Sequence, residues 1–122
     1  MSATLHHIAI PARDAETTAA FLGHLLGVHV ERDGAEDEFP CLRLANGVQI
    51  LFQQTTSVAP HHIAFQVTIQ EFRRVVDGLR TAAVAFGNDP DAPANGELTD
   101  PLGGAGRIYF LDRDGHLFEV CA

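Results

Sequence analysis

The stretch HHIAI at residues 6–10 is the most informative part of this sequence, because it recurs as HHIAF at residues 61–65, fifty-five positions further along the chain. Each copy is a short apolar run of the kind found in strands. Similarity at a fixed spacing indicates that one supersecondary unit is present twice. The 122 residues are therefore predicted to hold two copies of one module.

An amphipathic helix pattern follows each copy. The first helix is predicted to begin at Asp14, a good N-cap residue, and to end at Gly27. The second is predicted to begin at Thr68, where Glu71 three residues later completes a capping box. The apolar stripes expected to face the core are Phe21, Leu22, Leu25 and Leu26 in the first helix and Phe72, Val75, Val76 and Leu79 in the second.

Both halves close with a tight turn and an apolar run, VQILF after Asn46-Gly47 and HLFEV after Asp114-Gly115. Asn-Gly and Asp-Gly are strong hairpin signals. Each half therefore reads as a strand, a helix and two or three antiparallel strands. We place module 1 at about residues 1–54 and module 2 at about residues 60–122, within one domain spanning residues 1–122. Residues 87–106, rich in Gly, Pro and Asp, are left as an irregular loop that we expect to cover a substrate.

The composition argues against several classes of protein. The net charge is −8, all eight basic residues are Arg, and they form no basic run, so nucleic acid is not an expected partner. No apolar run reaches the length of a signal peptide or a membrane span, which favours a cytoplasmic protein with no membrane partner. The two cysteines, Cys41 and Cys121, are too far apart for a C-x-x-C pair, and no disulfide framework is predicted.

Histidines and one glutamate are the candidate functional residues. Strand alternation places only one His of each pair, at 6–7 and at 61–62, on the concave face of a sheet. Glu119 lies in a strongly apolar strand, where an unpartnered carboxylate would be costly and a metal would offset that cost. Two imidazoles and one carboxylate suit a divalent transition metal with positions open for substrate. The alternative is that these are surface histidines at strand ends and a solvent-facing glutamate.

Three stretches, LHHIAI (5–10), HHIAFQV (61–67) and RIYFLDRDGHLFEV (107–120), resemble the vicinal oxygen chelate superfamily, which includes glyoxalase I, extradiol dioxygenases, fosfomycin-resistance enzymes and bleomycin-binding proteins. The resemblance implies an α+β fold of two tandem βαβββ modules, whose curved mixed sheets surround a metal cavity. It also implies that His7, His62 and Glu119 bind one divalent ion, Mn, Fe, Ni or Zn. The other histidines of these motifs are then non-ligands, namely His6, His61 and His116.

Within the superfamily the best match is the fosfomycin-resistance thiol-transferase group, through HIAF (62–65) and YFLDRDGH (109–116). This chain has Ala9 where that group places a Thr, and it has no Lys where that group uses one near the phosphonate, so fosfomycin itself is not the expected substrate. Aligning the Asn46-Gly47 turn with the Asp114-Gly115 turn makes Leu51 the equivalent of Glu119. Glyoxalase I has a further metal ligand at this position of its first module. Gln49 or Gln53 is the alternative source of a fourth ligand.

The same turn alignment places Cys41 opposite Tyr109. The resemblance implies that Tyr109 faces the cavity, where its hydroxyl would hydrogen-bond or protonate an oxyanion; the alternative is a half-buried tyrosine with its hydroxyl in water. Cys41, Arg43 and Arg107 would then face the cavity too, and the two arginines would grip an anionic group of the substrate. The alternative for both is a solvated strand arginine.

Together these features predict a metal-dependent enzyme that acts on a small substrate with adjacent oxygens, with a thiol as a possible co-substrate. Thiol transfer or epoxide opening, isomerisation and ring cleavage all remain open. The alternative function is non-catalytic binding of an antibiotic in the same cavity. We also expect a homodimer, because one face of each sheet would otherwise lie uncovered.

Overall fold

The computed structural model describes residues 2–32 and 39–122, and the chain divides into two compact units, Met1–Ala59 and Pro60–Ala122. Unit 1 contains β1 (His7–Ala12), α1 (Ala15–Leu26), β2 (Val30–Glu31), β3 (Cys41–Arg43) and β4 (Gln49–Gln54). Unit 2 contains β5 (His62–Gln66), α2 (Ile69–Thr81), β6 (Arg107–Leu111) and β7 (Leu117–Cys121). The predicted α+β class is confirmed.

Helix α1 begins and ends at the predicted residues. The Asp14 side chain accepts a hydrogen bond from the Thr17 backbone N–H at 3.1 Å, and Gly27 ends the helix in the left-handed region with φ 70°. Leu22, Leu25 and Leu26 are buried as predicted. Phe21 is only partly buried, since it lies about 100° around the helix from Leu22, at the margin of the buried face.

Helix α2 carries the predicted capping box. Thr68 Oγ1 accepts from the Glu71 backbone N–H at 3.1 Å, and Glu71 Oε1 accepts from the Thr68 N–H at 3.0 Å. These bonds hold the pKa of Glu71 below its usual value. All four residues of the predicted stripe are buried: Phe72, Val75, Val76 and Leu79. Neither α1 nor α2, the helices of the described residues, is long and apolar enough to cross a membrane.

Each unit has one sheet in which the first strand runs parallel to the last and the other neighbours are antiparallel. The strand orders are β1-β4-β3-β2 and β5-β7-β6. The register is the same in both units: the central residue of the last strand lies between an alanine of the first strand and a residue of the antiparallel neighbour. These sets are Ala9, Leu51 and Cys41 in unit 1, and Ala64, Glu119 and Tyr109 in unit 2. The predicted equivalence of Leu51 with Glu119 is therefore confirmed.

Unit 2 differs from unit 1 in the segment that follows its helix. Where unit 1 has β2, the described part of unit 2 has a single β-bridge. In this bridge Gly87 and Tyr109 exchange backbone hydrogen bonds of 3.1 and 2.7 Å. Pro90 and Pro93 follow closely, and a proline has no N–H to donate to a strand ladder. The segment 88–106 consequently has no helix or regular strand, as the sequence predicts.

Candidate metal centre

His62 and Glu119 meet on one face of the unit 2 sheet. Ala64 pairs with Glu119 across the parallel strands β5 and β7, and His62 lies two residues before Ala64, on the same face. The small Ala64 side chain leaves room for the His62 and Glu119 side chains to meet. His62 Nε2 lies 2.9 Å from Glu119 Oε1, and the side chains are 50% and 10% exposed, respectively. Two of the three predicted ligands are therefore in contact.

The donor set of unit 2 fits a divalent metal ion. Two adjacent ligands of an octahedral ion, each at about 2.1 Å, lie roughly 3.0 Å apart, close to the His62–Glu119 spacing. An imidazole nitrogen and a carboxylate oxygen are donors that suit Mn, Fe, Ni and Zn. The half-exposed His62 also leaves an approach from solvent.

The second carboxylate oxygen of Glu119 has a protein partner. Arg107 Nη1, on the neighbouring strand β6, donates to Glu119 Oε2, and Arg107 Nε donates to Asp100 Oδ1 at 2.9 Å. The Arg107 side chain is only 15% exposed and that of Asp100 only 3%. The carboxylate that the sequence analysis left unpartnered is therefore paired with an arginine, and Arg107 directs two of its nitrogens at carboxylates.

Asp100 was missed by the sequence analysis, and it ties the irregular segment to this site. Besides Arg107, it accepts hydrogen bonds from the backbone N–H groups of Leu102 at 2.8 Å and Gly104 at 3.1 Å. Arg107, and then the Leu102 N–H, hold the pKa of Asp100 below its usual value, and Asp100 in turn raises the pKa of Arg107. A Cβ at Gly104 would lie 2.3 Å from Asp100 Oδ2, so glycine permits this close approach. A polar chain thus runs from Asp100 through Arg107 and Glu119 to His62.

Tyr109 lies beside this chain. It pairs with Glu119 across β6 and β7, it is buried, and its ring centroid lies 6.0 Å from that of His62. Burial, and then the charge of Glu119, raise the pKa of Tyr109. Its hydroxyl consequently keeps its proton at neutral pH and is available as a hydrogen-bond donor.

A cleft of about 430 Å³ adjoins the polar chain. Arg107 and Tyr109 form its inner part, and the irregular segment supplies the other lining residues, namely Asn88, Asp89, Pro90, Pro101 and Leu102. The predicted irregular segment thus lines the cleft, and its covering of a substrate stays a prediction.

The third predicted ligand, His7, belongs to unit 1. It is exposed at the start of β1, with its Nδ1 2.9 Å from His6 Nδ1, and it pairs with Gln49 of β4. Gln49, one candidate for a fourth ligand, is buried and accepts from Cys41 Sγ at 3.5 Å, whereas the other candidate, Gln53, is exposed.

The remaining predicted substrate-binding residues also lie in unit 1. Cys41 is fully buried. Arg43 Nε donates to Glu31 Oε2 at 3.1 Å, and both side chains are more than one third exposed. Arg43 therefore has the surroundings of a solvated strand arginine, which was the alternative interpretation.

His116, expected to be a non-ligand, has a structural role that the sequence analysis did not predict. Its Nδ1 accepts from the His61 backbone N–H at 2.8 Å, which fixes the start of β5 directly before His62. Asp112 Oδ1 accepts from the N–H groups of Asp114 and His116 and so shapes the turn before β7. The side chains of Asp112, Asp114 and His116 lie close enough to hold a cation, but these bonds account for their arrangement as a turn.

Comparison with known proteins places this geometry in a family. Residues 4–120 match the family described as the glyoxalase/bleomycin resistance protein/dioxygenase superfamily. The fosfomycin resistance protein FosX of Listeria monocytogenes is 26% identical, over 100% of this chain and 91% of the relative.

Two solved structures illustrate the similarity of fold. The oxidase ChaP-H2 has a TM-score of 0.90 and 28% identity, covering 100% of this chain and 94% of that chain. Listeria monocytogenes FosX complexed with Mn(II) and sulfate has a TM-score of 0.67 and 23% identity, covering 100% and 90%. The predicted fold, that of the vicinal oxygen chelate proteins, is confirmed.

The family match covers nearly the whole chain and includes both units. This protein therefore belongs to the glyoxalase/bleomycin resistance protein/dioxygenase superfamily.

Proposed function

We propose that this protein is a divalent-metal-dependent enzyme that acts on a small substrate with adjacent oxygen atoms. The observation that carries the proposal is the convergence of His62 Nε2 and Glu119 Oε1 at 2.9 Å. His7 is the proposed third ligand. A solved FosX structure with Mn(II) supports a divalent ion, and Mn, Fe, Ni and Zn all remain candidates.

Each residue of the site has a proposed task. When bound, the ion would supply Lewis-acid chemistry at the substrate oxygens. His62 and Glu119 hold it, and Arg107 keeps the Glu119 carboxylate in one orientation through its second oxygen. Tyr109, whose hydroxyl remains protonated, donates a hydrogen bond to an oxyanion that develops on the substrate. The segment 87–106 limits the access of water to the cleft.

The proposed reaction is one that begins with binding of adjacent substrate oxygens. The names of the relatives point to two chemistries, oxidation for ChaP-H2 and fosfomycin resistance for FosX. Thiol transfer or epoxide opening, isomerisation and ring cleavage share that first step, and a thiol co-substrate belongs to the first of them. Non-catalytic antibiotic binding would not require a histidine in contact with a carboxylate whose second oxygen is held by Arg107, and the site therefore supports an enzyme.

Metal titration tests the proposal directly. By calorimetry with Mn²⁺, we expect about one ion per chain, and a loss of affinity of roughly a hundredfold or more in Glu119→Gln and in His62→Ala. His6→Ala and His61→Ala are matched controls, each next to a proposed ligand, and should bind Mn²⁺ like the parent protein. Equal losses in the controls, or Mn²⁺ binding that survives Glu119→Gln, would contradict the proposal.

The proposed homodimer has its own test. If the modules pair between chains, His7 comes from one subunit and His62 with Glu119 from the other. A heterodimer of His7→Ala and Glu119→Ala chains would then hold one intact site and one doubly damaged site, so part of the Mn²⁺ binding should return on mixing. A monomer in sedimentation that still holds Mn²⁺ at micromolar concentration would contradict the shared site.

A further inference from the structure

We infer that His116 is a positioning residue for the metal site of unit 2. Its side chain holds the backbone at the start of β5, and this restraint keeps the His62 imidazole directed at Glu119. His116 is not itself a proposed ligand. The inference rests on the proposed function, because the effect that it assigns to His116 is a gain in metal affinity.

The start of β5 has few backbone bonds available to it. β5 lies at the edge of the unit 2 sheet, so within the described sheet β7 is its one neighbour. Pro60 precedes His61, and a proline has no N–H with which the ladder could continue towards the N-terminus. Strand ends open readily where backbone bonds are few, and the half-exposed His62 side chain gains only part of its restraint from packing.

His116 and Leu117 together bond both backbone groups of His61. His116 Nδ1 accepts from the His61 N–H at 2.8 Å, and the Leu117 N–H donates to the His61 carbonyl oxygen at 2.9 Å. The rings of His61 and His116 also meet edge to face, with centroids 5.5 Å apart. Because the His116 side chain is fully buried, its bond is shielded from water. The residue directly before His62 is therefore held on both sides.

The turn that carries His116 is held independently of the imidazole. Asp112 Oδ1 accepts from the backbone N–H of His116 at 2.9 Å, and the Asp112 N–H donates to the His116 carbonyl oxygen at 3.1 Å. Both bonds use the backbone of His116, so a change of its side chain should leave the turn in place. The imidazole thus connects a fixed turn to the strand that carries the proposed ligand.

Unit 1 has the corresponding backbone bond without the side-chain bond. The Gln49 N–H donates to the His6 carbonyl oxygen at 3.1 Å, as the equivalent groups do in unit 2. The residue before Gln49 is Val48, the counterpart of His116, and a valine side chain has no hydrogen-bond acceptor. Pairing of the first and last strands therefore does not require the imidazole. The additional bond occurs in the unit where two proposed ligands are in contact.

Asparagine and glutamine at position 116 test the inference, because their amide oxygens lie at different distances from the backbone. The asparagine oxygen is as many bonds from Cα as Nδ1 and can accept from the His61 N–H, whereas the glutamine oxygen corresponds to Nε2. By calorimetry, His116→Gln should bind Mn²⁺ about tenfold more weakly, while His116→Asn should stay within about threefold of the parent protein. Equal losses in the two variants, or parent-like affinity in His116→Gln, would overturn the inference.

Thermal unfolding separates positioning from a merely structural role. Asparagine is smaller than histidine and leaves a cavity, whereas glutamine nearly conserves the volume. His116→Asn should therefore have the lower melting temperature and yet the higher Mn²⁺ affinity. Affinities that follow the melting temperatures instead would show that His116 acts through stability alone, which would overturn the inference.

Removing the donor tests the same bond from the other side. His61→Pro has no N–H to donate and leaves His116 in place, so it should lose Mn²⁺ affinity about as much as His116→Gln. His61→Ala is the matched control, because it retains the N–H and should bind like the parent protein. Unchanged affinity in His61→Pro would overturn the inference even if a variant at position 116 did not fold.

Nuclear magnetic resonance of the metal-free protein separates this inference from the function on which it rests. The ring centroids of His62 and Tyr109 lie 6.0 Å apart, so nuclear Overhauser contacts between these rings are expected. The contacts should persist in His116→Asn and weaken in His116→Gln. Failure of the parent protein to bind Mn²⁺ would contradict the metal-dependent enzyme, and the ring contacts would still decide the role of His116. Contacts that are unchanged in His116→Gln would overturn it.

Discussion

Units 1 and 2 have the same succession of strand, helix and parallel last strand, yet their central positions carry opposite chemistry. At the centre of the last strand, unit 1 has Leu51, which is 1% exposed, and unit 2 has Glu119. The antiparallel neighbour is Cys41 in unit 1 and Tyr109 in unit 2. Backbone hydrogen bonds between strands and apolar helix faces hold both sheets. The fold therefore accommodates either Leu51 with Cys41 or Glu119 with Tyr109 at these positions. The comparison teaches that the fold permits a site but does not create one.

A carboxylate at this position requires its neighbours. Glu119 is accommodated because Arg107 faces it, and Arg107 is accommodated because Asp100 holds its Nε. The turn alignment makes Phe39 the unit 1 counterpart of Arg107, so unit 1 has an apolar residue where unit 2 has the cation. The difference between the units is therefore a set of coupled residues and not one substitution.

The largest expected effect comes from placing a glutamate in unit 1 without the arginine and aspartate that accompany Glu119 in unit 2. Leu51→Glu should lower the free energy of unfolding by about 3–5 kcal/mol, because it removes a buried apolar side chain and adds a carboxylate without a partner. Burial should raise the pKa of the new carboxyl, so the loss should be smaller at acidic pH, where the group is protonated in both states. Urea unfolding measures it.

Leu51→Met, which nearly conserves volume, is the control and should cost less than about 1.5 kcal/mol. Stability equal to the parent protein in Leu51→Glu would show that unit 1 already offers a partner to a carboxylate.

A smaller effect is expected from loosening the support in unit 2. Asp100→Asn removes the charged partner of Arg107 and should weaken Mn²⁺ binding about tenfold, as supporting residues around metal ligands commonly do. Hydrogen exchange should rise at the Leu102 and Gly104 amides. Asp89→Asn, in the same segment but outside the polar chain, is the control. If the Mn²⁺ affinity of Asp100→Asn were unchanged, Asp100 would shape its loop without supporting the metal ligands.

The stabilising contribution of Asp100 should also depend on pH. The pKa of Asp100 is lowered in the folded state, so its stabilising contribution is present above the ordinary aspartate pKa of about 3.9 and is lost as the pH falls through the lower folded value. Acid unfolding of Asp100→Asn should lack this component when it is compared with the parent protein.

The smallest expected effect compares the helix starts of the two units. Asp14→Ala and Thr68→Ala should each cost about 1 kcal/mol, since each side chain accepts a backbone N–H of the first turn. Thr68→Ala should cost slightly more, because it also disturbs the reciprocal bond from Glu71. Thermal unfolding measures both. A negligible cost at Thr68 alone would show that the capping box is dispensable in unit 2.

Local signals made much of the fold predictable. Both ends of α1 followed from Asp14 and Gly27, and the start of α2 followed from Thr68, because caps depend on residues within one turn. The equivalence of Leu51 with Glu119 followed from the two turns, because a tight turn fixes the register of the strand after it. The contact of His62 with Glu119 joins two of the three ligands that the family resemblance implied, and metal binding by this set stays a prediction.

Features that depend on distant parts of the chain were not predictable. Asp100 lies in a segment without periodicity, and only the folded path of the loop brings it to Arg107. The two carboxylate partners of Arg107 were missed for the same reason, since its strand position gives its face but not its partners. Whether two or three strands follow α2 was left open, and the prolines that reduce the third to a single bridge lie in the segment predicted to be a loop.

The placement of Tyr109 has a practical consequence. It is the only tyrosine of a chain that contains no tryptophan, and it lines the cleft beside Glu119. The tyrosine fluorescence and the tyrosine band of the near-ultraviolet circular dichroism spectrum therefore both originate at Tyr109. Paramagnetic Mn²⁺ or an absorbing ring near that position would quench the emission, and occupancy could be followed optically in the unlabelled protein.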